Sequence, residues 1–467
     1  MKPNTKYIIF LTAIAALGGL LFGYDTAVIS GAEQSLQVYF IDSLGLNDIF
    51  HGLTVSSALM GCIIGALLSG VISNRIGRRN TLIIAAALFF VSAILSAYPE
   101  FLFFTKDEQS LGLLIMFNIY RIIGGIGVGF ASGLGPLYIS ETAPAHMRGR
   151  LVTLNNIAIT FGTLLVYFIN YRIASGQALE WINDIGWRYM LASEAVPAVV
   201  FFALLFLVPE TPRYLIAKNR DEEAMKILSK VNETDEEARR VYQEIKQSMK
   251  FTEGRLFSYG KIIVVVAVLL ALGQQLVGNN VILYYAPRIF ANLGASADSS
   301  MLQTVLLGVV NITFVFVALT LVDKVGRKKL LLFGSIGMAV GMFGIGLLAS
   351  MDAMGVFALF FVLFFAATYN LSWGPLMWVV ASELFPNKIR GQVMAIITTV
   401  VWGSNLVVSS TFPSLLAISP GMTYSLYGIM CLLAFIFVWK LIPETKGKTL
   451  EEIETFWSSK EEKKQVL

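Results

Sequence analysis

Charged residues are scarce in this sequence of 467 residues: Asp, Glu, Lys and Arg make up 14% of the chain, against 56% hydrophobic residues. Soluble domains contain about 25% charged residues. The chain therefore has too few charges to cover a water-facing surface. It is predicted to be an integral membrane protein.

Metal-binding, disulfide and nucleotide-binding patterns are also missing. The two histidines and two cysteines are not clustered, so no metal site and no cofactor is predicted. Cys62 and Cys431 fall in apolar segments, where packing is the expected role. The glycine-rich "GGIGVGF" (124–130) lies in an apolar segment with no preceding strand, so it predicts helix packing through Gly125, Gly129 and Gly133. With no P-loop and no acid–base or nucleophile constellation, neither an ATP-driven pump nor an enzyme is expected.

Apolar segments of about 20 residues recur along the whole chain, each long enough to cross a ~30 Å hydrocarbon core as a helix. The first lacks a small-residue cleavage site and is predicted to be a retained span instead of a signal peptide. Twelve spans are predicted, near residues 7–29, 52–73, 80–98, 111–134, 150–171, 188–208, 258–284, 301–322, 329–350, 354–381, 392–414 and 422–443.

Basic residues are concentrated in alternate loops. Clusters occur at 74–80 and 146–150, in the long 209–257 segment and in the corresponding later loops, whereas the loop 31–50 has no Lys or Arg. The positive-inside rule then places both termini and the 209–257 segment in the cytoplasm, with the chain in the bacterial inner membrane. Because this sorting accounts for the net charge of +4, no nucleic-acid partner is expected.

The 209–257 segment is predicted to contain short helices. In "TDEEARRVYQEIKQSM", Thr234 and Glu237 form a capping-box pattern, and Ala238, Val241, Ile245 and Met249 recur at helical spacing. The tail "KTLEEIETFW" (448–457) repeats the pattern with Thr449 and Glu452.

The chain repeats itself at an offset of about 240 residues. "NRIGRR" (74–79) corresponds to "DKVGRK" (323–328), "SETAPAHMRG" (140–149) to "SELFPNKIRG" (382–391), and "VPETPRYL" (208–215) to "IPETKGKTL" (442–450). Two parallel six-helix halves are therefore predicted, with a substrate site between them near mid-membrane. The predicted domains are residues 1–208, the linker 209–257, residues 258–443 and the tail 444–467.

These motifs resemble those of the major facilitator superfamily. "GVISNRIGRR" (70–79) is similar to the loop signature of the superfamily. "PETPR" (209–213), "PETKG" (443–447), "YRIIGGIGVG" (120–129) and "GQQLVGNNVILYYAP" (273–287) resemble its sugar-porter branch, in particular the bacterial D-xylose–proton symporters. The resemblance implies an all-α fold of twelve transmembrane helices and transport of a sugar.

One carboxylate, Asp25, lies in the apolar run "GGLLFGYDTAVISG" (18–31). A charge at mid-helix costs about 2.5–3.5 kcal/mol on insertion scales, so it needs a partner, a wet cavity or a proton. Arg121 is the strongly basic residue deep in another span of the same half. A static ion pair between the first and fourth helices is one explanation. The other is a proton site whose proton affinity changes when the distance to Arg121 changes.

The resemblance favours the proton site. Proton-coupled sugar porters have an acid after "FGY" where passive facilitators have an amide, and Asp25 occupies that position. Glu194 in "LASEAVP" matches a second acidic position of the symporters, although hydrogen bonding to the backbone would also account for it. The predicted proton-coupling residues are Asp25, Arg121 and Glu194.

The seventh span is rich in amides, which suits recognition of a sugar. A pyranose presents hydroxyls that donate and accept, together with apolar C–H faces, so its site needs amides and aromatic rings. Local unwinding is expected at Gly278–Asn279, as in discontinuous transporter helices. Amides paired for structural reasons alone are the alternative. The amides and the aromatic residue of this span are Gln274, Gln275, Asn280 and Tyr284.

The resemblance implies sugar contacts beyond the seventh span. It assigns them to Gln274, Gln275, Asn280, Asn311, Gly374 and Trp378, with Tyr284 and Tyr369 closing the outer side and Phe22 and Trp402 lining the site. In "SWGPLMW" (372–378), Gly374–Pro375 is predicted to break the tenth helix, as a hinge for Trp378 or as a plain kink. Three positions depart from the glutamines of the xylose symporters: Asn156, Thr163 and Val401. Xylose is the first candidate by overall similarity, and these departures leave another pentose or a hexose such as glucose open.

Charged residues of the repeated loops are predicted to form a cytoplasmic gate of salt bridges between the halves. Exposed pairs are worth only about 0–1 kcal/mol each, which suits contacts that must break. The alternative is that the basic residues only determine topology. Asn74 replaces the usual Asp of the first loop, whereas Asp323 is present in the second. The predicted gate residues are Arg78, Glu141, Arg148, Arg327, Glu383 and Arg390.

The sequence thus predicts a proton-coupled symporter of a monosaccharide, working by alternating access as a monomer in the bilayer. Its expected partners are the sugar, the proton and lipid. A passive facilitator, for glucose or another sugar, is the alternative that the acid at Asp25 argues against. A non-transporting sugar sensor would be expected to have a long signalling tail, and this chain ends about 24 residues after the last predicted span.

Overall fold

The protein is helical throughout the part described by the computed structural model, which covers residues 5–105, 109–144, 146–249, 256–292, 294–351, 355–386, 388–448, 452 and 457. No strand occurs in these ranges. The helices up to the linker are α1 (Thr5–Leu36), α2 (Asp48–Ile76), α3 (Arg78–Ala97), α4 (Leu111–Thr142), α5 (Arg148–Ala174), α6 (Leu179–Trp181), α7 (Trp187–Ala192), α8 (Ala195–Leu205), α9 (Pro212–Ala217), α10 (Asp221–Val231) and α11 (Asp235–Ser248). The later helices are α12 (Lys261–Leu276), α13 (Asn279–Tyr284), α14 (Ala286–Asn292), α15 (Ala297–Val325), α16 (Arg327–Ser350), α17 (Val356–Leu371), α18 (Trp373–Leu384), α19 (Arg390–Ile418) and α20 (Pro420–Leu441).

Twelve helical segments of the described chain are long and apolar enough to cross a membrane, which confirms the predicted all-α fold class. Each coincides with one predicted span. The first is longer than predicted, because α1 continues through a π-helical turn, Gln37–Asp42, so that much of the expected loop 31–50 is helical. The sixth span combines α6 to α8, the seventh combines α12 with α13, and the tenth combines α17 with α18.

The chain divides into two compact units. The first unit comprises residues 1–44, 57–173 and 177–251, and in it α3 packs against α4 and α8 while α1 packs against α4. The second unit comprises residues 45–56, 174–176 and 252–467, and in it α16 packs against α17 and α20 while α12 packs against α19. The start of α2 thus belongs to the second unit and its remainder to the first. The domain boundaries drawn from the sequence stay predictions.

Glycines let α2 and α4 approach until their backbones touch. A Cβ at Gly125 would lie 1.8 Å from the carbonyl oxygen of Ala58, and one at Gly61 would lie 2.0 Å from that of Ile122. The predicted packing face is confirmed at these crossings. Gly133 does not share it, since the nearest atom to a Cβ there is 3.8 Å away.

The linker contains three helices, α9 to α11, which pack around a small apolar cluster. Thr234 caps α11 as predicted, accepting a hydrogen bond from the Glu237 N–H at 3.1 Å. Ile245 packs on the cluster, whereas Met249, the residue that caps the C-terminal end of α11, is exposed. The helix predicted in the tail (448–457) lies mostly outside the described residues.

The seventh span is broken where the sequence predicts. Gly278 separates α12 from α13 with φ of 88°, in the left-handed region that favours glycine. The break confirms the expected unwinding. Because of it, Asn280 and Tyr284 in α13 do not continue the helical spacing of α12.

The tenth span is broken two residues before the predicted Gly374. Ser372 has non-helical angles (φ −132°, ψ −93°) between α17 and α18, while Gly374 and Pro375 lie within the first turn of α18. The reason is that the first N–H groups of a helix have no partner within it, so a proline is accommodated there.

Candidate functional site

Asp25 and Arg121 form an ion pair in the interior of the first unit. Nη1 of Arg121 lies 2.8 Å from Oδ1 of Asp25, and Nη2 donates to the Asp25 carbonyl at 3.2 Å. Both side chains are almost completely buried, with exposed fractions of 0% and 1%. Oδ2 of Asp25 and Nε of Arg121 have no hydrogen-bond partner among the described residues. The pair joins α1 to α4 and leaves one carboxylate oxygen available.

Glu194 lies beside this pair, at the break between α7 and α8. Its side chain is fully buried, and neither carboxyl oxygen meets a hydrogen-bond donor in the described part of the chain. It is close enough to interact electrostatically with both Asp25 and Arg121. The structure therefore brings together all three residues predicted for proton coupling.

The charge balance of these three groups determines what they can do. One guanidinium neutralises one carboxylate, and a second carboxylate would leave a net negative charge in an apolar interior, which is costly. Two carboxyl groups and one guanidinium are neutral when they hold a single proton. The cluster can thus bind and release one proton as its surroundings change.

Amides of the seventh span form a hydrogen-bonded chain in the second unit. Asn280 Nδ2 donates to Gln275 Oε1 at 2.5 Å, and Gln275 Nε2 donates to Gln274 Oε1 at 3.2 Å. Gln274 Nε2 in turn donates to the carbonyls of Trp373 and Gly374, each at 3.3 Å. The two broken helices α12–α13 and α17–α18 therefore meet through predicted sugar-binding residues.

Two asparagines that the sequence analysis did not single out hold predicted site residues. Asn405 Nδ2 donates to the Tyr284 hydroxyl at 3.1 Å, and Asn370 Nδ2 donates to Asn311 Oδ1 at 2.8 Å. Both asparagines are amides within apolar spans, and this is the feature by which Gln274 was predicted to be a site residue.

The remaining predicted sugar-site residues lie within spans of one unit or the other. In the second unit Tyr369, Val401 and Trp402 are buried, and Gly374 and Trp378 are half-buried. In the first unit Phe22 and Asn156 are half-buried. Thr163 is buried, and its hydroxyl donates to the carbonyl of Gly23 at 3.2 Å.

The repeated loops build the same polar cluster in each unit. In the first, Arg78 binds Glu141 with Nε–Oε2 at 3.1 Å, and Thr211 donates to the same carboxylate at 2.6 Å. Glu210 accepts the Arg78 backbone N–H at 2.9 Å and so caps α3. Burial raises the pKa of Glu210, while the backbone N–H groups that it accepts lower it and limit the shift.

In the second unit Arg327 binds Glu383 with Nε–Oε2 at 3.1 Å, and Thr445 donates to that carboxylate at 2.6 Å. Glu444 accepts the Arg327 N–H at 2.9 Å, as Glu210 does for Arg78. The roles of Glu210 and Glu444 were not predicted, although the repeated "PET" could have indicated them. Arg327 also pairs with Asp323 at 3.0 Å, where Arg78 meets the neutral Asn74 at the same distance.

The remaining two gate residues have no acidic partner among the described contacts. Arg148 is exposed at the start of α5, and Arg390 donates to the carbonyl of Phe385 at 3.1 Å. The ion pairs of the two clusters each lie within one unit. Salt bridges between the halves stay a prediction.

The chain is similar to known proteins along nearly its whole length. A family profile described as "Sugar (and other) transporter" matches residues 11–457. The D-xylose-proton symporter of Escherichia coli strain K12 is 48% identical, over 99% of this chain and 98% of that protein. The glucose facilitated diffusion protein of Zymomonas mobilis is 38% identical, over 96% and 97%.

Solved structures give the same result for the fold. An inward-open structure of the xylose transporter XylE from E. coli superposes with a TM-score of 0.88 at 47% identity, covering 97% of this chain and 100% of that one. The family match spans nearly the whole chain and includes both polar clusters. The chain belongs to the sugar transporter family, the sugar-porter branch of the major facilitator superfamily that its motifs predict.

Proposed function

We propose that this protein is a secondary active transporter that couples the entry of a monosaccharide to the entry of a proton by alternating access. The observation that supports it most directly is the buried group of Asp25, Arg121 and Glu194, which is neutral only with one proton bound. The similarity to a D-xylose-proton symporter over nearly the whole of both chains supports the same function.

Asp25 is the proposed proton carrier, with Arg121 setting its affinity and Glu194 sharing the proton. When Asp25 is ionised, the ion pair with Arg121 at 2.8 Å is intact. When Asp25 is protonated, that attraction weakens, and α1 and α4 are freer to move relative to each other. Proton binding is thereby linked to the packing of the helices.

The amide chain of Gln274, Gln275 and Asn280 is the proposed partner of the sugar hydroxyls. Each amide donates to the next, so the chain is held in one orientation before a sugar binds. Asn311 and Trp378 would add a second amide and an aromatic face. The other proposed contacts are Gly374, Tyr284, Tyr369, Phe22, Asn156, Thr163 and Trp402.

D-xylose is the leading substrate, and a hexose such as glucose is the second candidate. Val401 is buried and has no side-chain group that can bind a hydroxyl. The resemblance places a glutamine of the xylose symporters at that position, so one sugar partner is lost there. A site with fewer amides discriminates less strictly between sugars.

The protein is a multi-pass membrane protein, with twelve candidate spans among the described residues. We propose that it functions as a monomer in the bacterial inner membrane, with both termini in the cytoplasm. The sorting of basic residues into alternate loops supports this orientation.

A competition panel tests the substrate and the coupling together. Uptake of radiolabelled xylose is measured in membrane vesicles against unlabelled pentoses and hexoses, with and without an uncoupler. We expect xylose to compete best and the uncoupler to abolish accumulation while leaving equilibration. Accumulation that resists the uncoupler would refute proton coupling, and failure of every sugar to compete would refute the substrate class.

A further inference from the structure

Two serines of α3 have hydroxyls that do not bind the helix backbone. Ser92 and Ser96 are both 0% exposed, and neither Oγ has a hydrogen-bond partner within the described ranges. Thr81 on the same helix shows the usual alternative, donating to the carbonyl of Gly77 at 2.7 Å. The two serines lie four residues apart, so they share one face of α3 and are separated by about 6 Å along its axis.

Ser92 borders the proton-coupling group. A Cβ placed at Gly124 would lie 2.4 Å from Ser92 Oγ and 3.5 Å from Asp25 Oδ1, so both oxygens line the space left by the missing side chain. Asp25 Oδ2 and both oxygens of Glu194 also meet no donor group in the described chain, and the two carboxyl groups interact with each other. Together with Ser92 and Nε of Arg121, four side chains in this region present such polar atoms.

Ser92 and Ser96 form a row of polar groups along one face of α3. Ser96 lies near the end of this helix, which is predicted to face outward. The carbonyl of the next residue, Ala97, accepts from Arg188 at 2.9 Å, and Arg188 pairs with Glu100 at 3.0 Å. The side chain of Glu100 is 13% exposed, so this end of the row reaches the surface. The two cations beside the row, Arg121 and Arg188, are each paired with a carboxylate, which reduces their repulsion of an entering proton.

Buried hydroxyls without a protein partner are costly unless water satisfies them. A hydroxyl can accept a proton on one side while giving up its own on the other, so serines and water can conduct protons in a chain. We propose that Ser92 and Ser96, bridged by water, form the path along which the proton reaches Asp25 and Glu194 from the outer end of α3. This path rests on the proposed symport function and adds to it the route of the proton.

The proton balance along this path is simple. One proton leaves the external water near Glu100, each serine takes up one proton and releases one, and one carboxylate becomes a carboxylic acid. The serines are unchanged at the end, and one positive charge has moved into the membrane. The serines are thus positioning residues for proton transfer and have no proposed contact with the sugar.

The test compares Ser92→Ala, Ser96→Ala and the double variant with the wild-type protein in proteoliposomes. Two rates are measured: proton-driven net sugar uptake, and sugar exchange at saturating acidity, where the carrier stays protonated. Ser69→Ala is the matched control, because this hydroxyl of α2 donates to the carbonyl of Ala66 at 2.8 Å. Ser96→Thr retains the hydroxyl and should restore the rate.

We expect the double variant to lose about tenfold in net uptake, equivalent to about 1.4 kcal/mol of barrier, with exchange within about twofold of wild type. Because proton transfer then limits the cycle, its solvent deuterium isotope effect should increase. Ser69→Ala should behave as wild type. Retained exchange shows that each variant is folded.

Net uptake at the wild-type rate in the double variant would overturn the path, as would equal losses of net uptake and exchange. Failure of Ser96→Thr to exceed Ser96→Ala would also contradict it. If the wild-type protein itself shows no proton-driven uptake, the proposed function fails instead, and that result is visible before any serine variant is compared.

Discussion

At the scale of single residues, the most informative feature is a buried ion pair with unused hydrogen-bonding capacity. Asp25 and Arg121 are separated by 2.8 Å in an apolar interior, yet Oδ2 and Nε have no partner in the described chain. A purely structural pair would be expected to satisfy these atoms, because unsatisfied buried polar groups cost about 1–3 kcal/mol each. The arrangement favours a pair that changes during a transport cycle.

Asp25→Asn is expected to abolish uphill, pH-driven uptake while leaving sugar exchange measurable. The amide cannot take up the transported proton, and Glu194 is then the acid left near Arg121 to balance its charge. Uptake and counterflow in the same vesicles separate the two effects. Asp298→Asn, at an exposed acid of the α15 N-terminus, is the control and should accumulate sugar normally. Unchanged accumulation in Asp25→Asn would remove the proton site from Asp25.

Gln274→Leu is expected to weaken sugar binding by roughly tenfold, which matches the loss of one hydrogen bond in a buried site. The substitution also removes the acceptor for Gln275, so the amide chain loses its fixed orientation. The half-saturation concentration for sugar counterflow is the measurement. Gln303→Leu is the matched control, since that amide binds only Ser299 among the described contacts, at 3.1 Å. Equal affinities in the two variants would exclude Gln274 from the site.

Residue identity allowed the charged cluster to be predicted, because ionisable groups and amides stand out in apolar spans. The partners of these residues were not predictable in the same way. Asn370 binds Asn311 across 59 positions of sequence, and Asn405 binds Tyr284 across 121. Such pairs depend on how helices pack, which one sequence does not specify.

At the scale of helices, close approach at glycines organises the first unit. The backbones of α2 and α4 touch at Gly125 and Gly61, and those of α1 and α5 touch at Gly23, where a Cβ would lie 1.9 Å from the carbonyl of Ile159. Small residues at such crossings let membrane helices pack without a hydrophobic driving force. Arg121 lies one turn before Gly125 on α4, and the packing of α1 against α4 brings it to Asp25.

Gly125→Ala is expected to lower the melting temperature, because one methyl group would meet the Ala58 carbonyl at 1.8 Å. Overpacking of this kind costs about 1–3 kcal/mol. Gly70→Ala is the matched control on α2, where a Cβ would meet nothing within 4 Å. Thermal unfolding in detergent should show no loss for Gly70→Ala. A Gly125→Ala variant as stable as wild type would contradict the packing described for α2 and α4.

The presence of the membrane-spanning helices could be predicted from hydrophobicity alone, but the positions of the breaks within them could be predicted only in part. The left-handed Gly278 was identified because glycine marks such positions. The break at Ser372 was misplaced onto Gly374–Pro375, because proline was assumed to interrupt a helix when it instead lies in a first turn. The helical continuation of the first span to Asp42 was also missed, since its polar residues suggested a loop.

At the scale of the whole molecule, the sequence repeat corresponds to a repeat of structure. In one unit Arg78 contacts Glu141 through its side chain and Glu210 through its backbone N–H. In the other unit Arg327 makes the equivalent contacts with Glu383 and Glu444, at nearly the same distances. The clusters differ at the acid Asp323, which stands in place of Asn74. Equivalent polar clusters in both units are what two parallel halves from a repeated sequence should produce.

In the proposed mechanism the sugar enters together with a proton, so each transport event moves positive charge inward. Moving one charge through 100 mV is worth about 2.3 kcal/mol, which is enough for well over tenfold accumulation of a neutral sugar. A facilitator of the same fold would move no charge and would only equilibrate its sugar. The two mechanisms therefore differ in their response to membrane potential.

The most direct measurement is sugar accumulation in proteoliposomes at equal pH, under an imposed inside-negative potential of about 100 mV. A proton-coupled symporter should reach an internal sugar concentration well over ten times the external one, and an uncoupler should abolish this difference. Equal concentrations inside and outside, whatever potential is imposed, would contradict it.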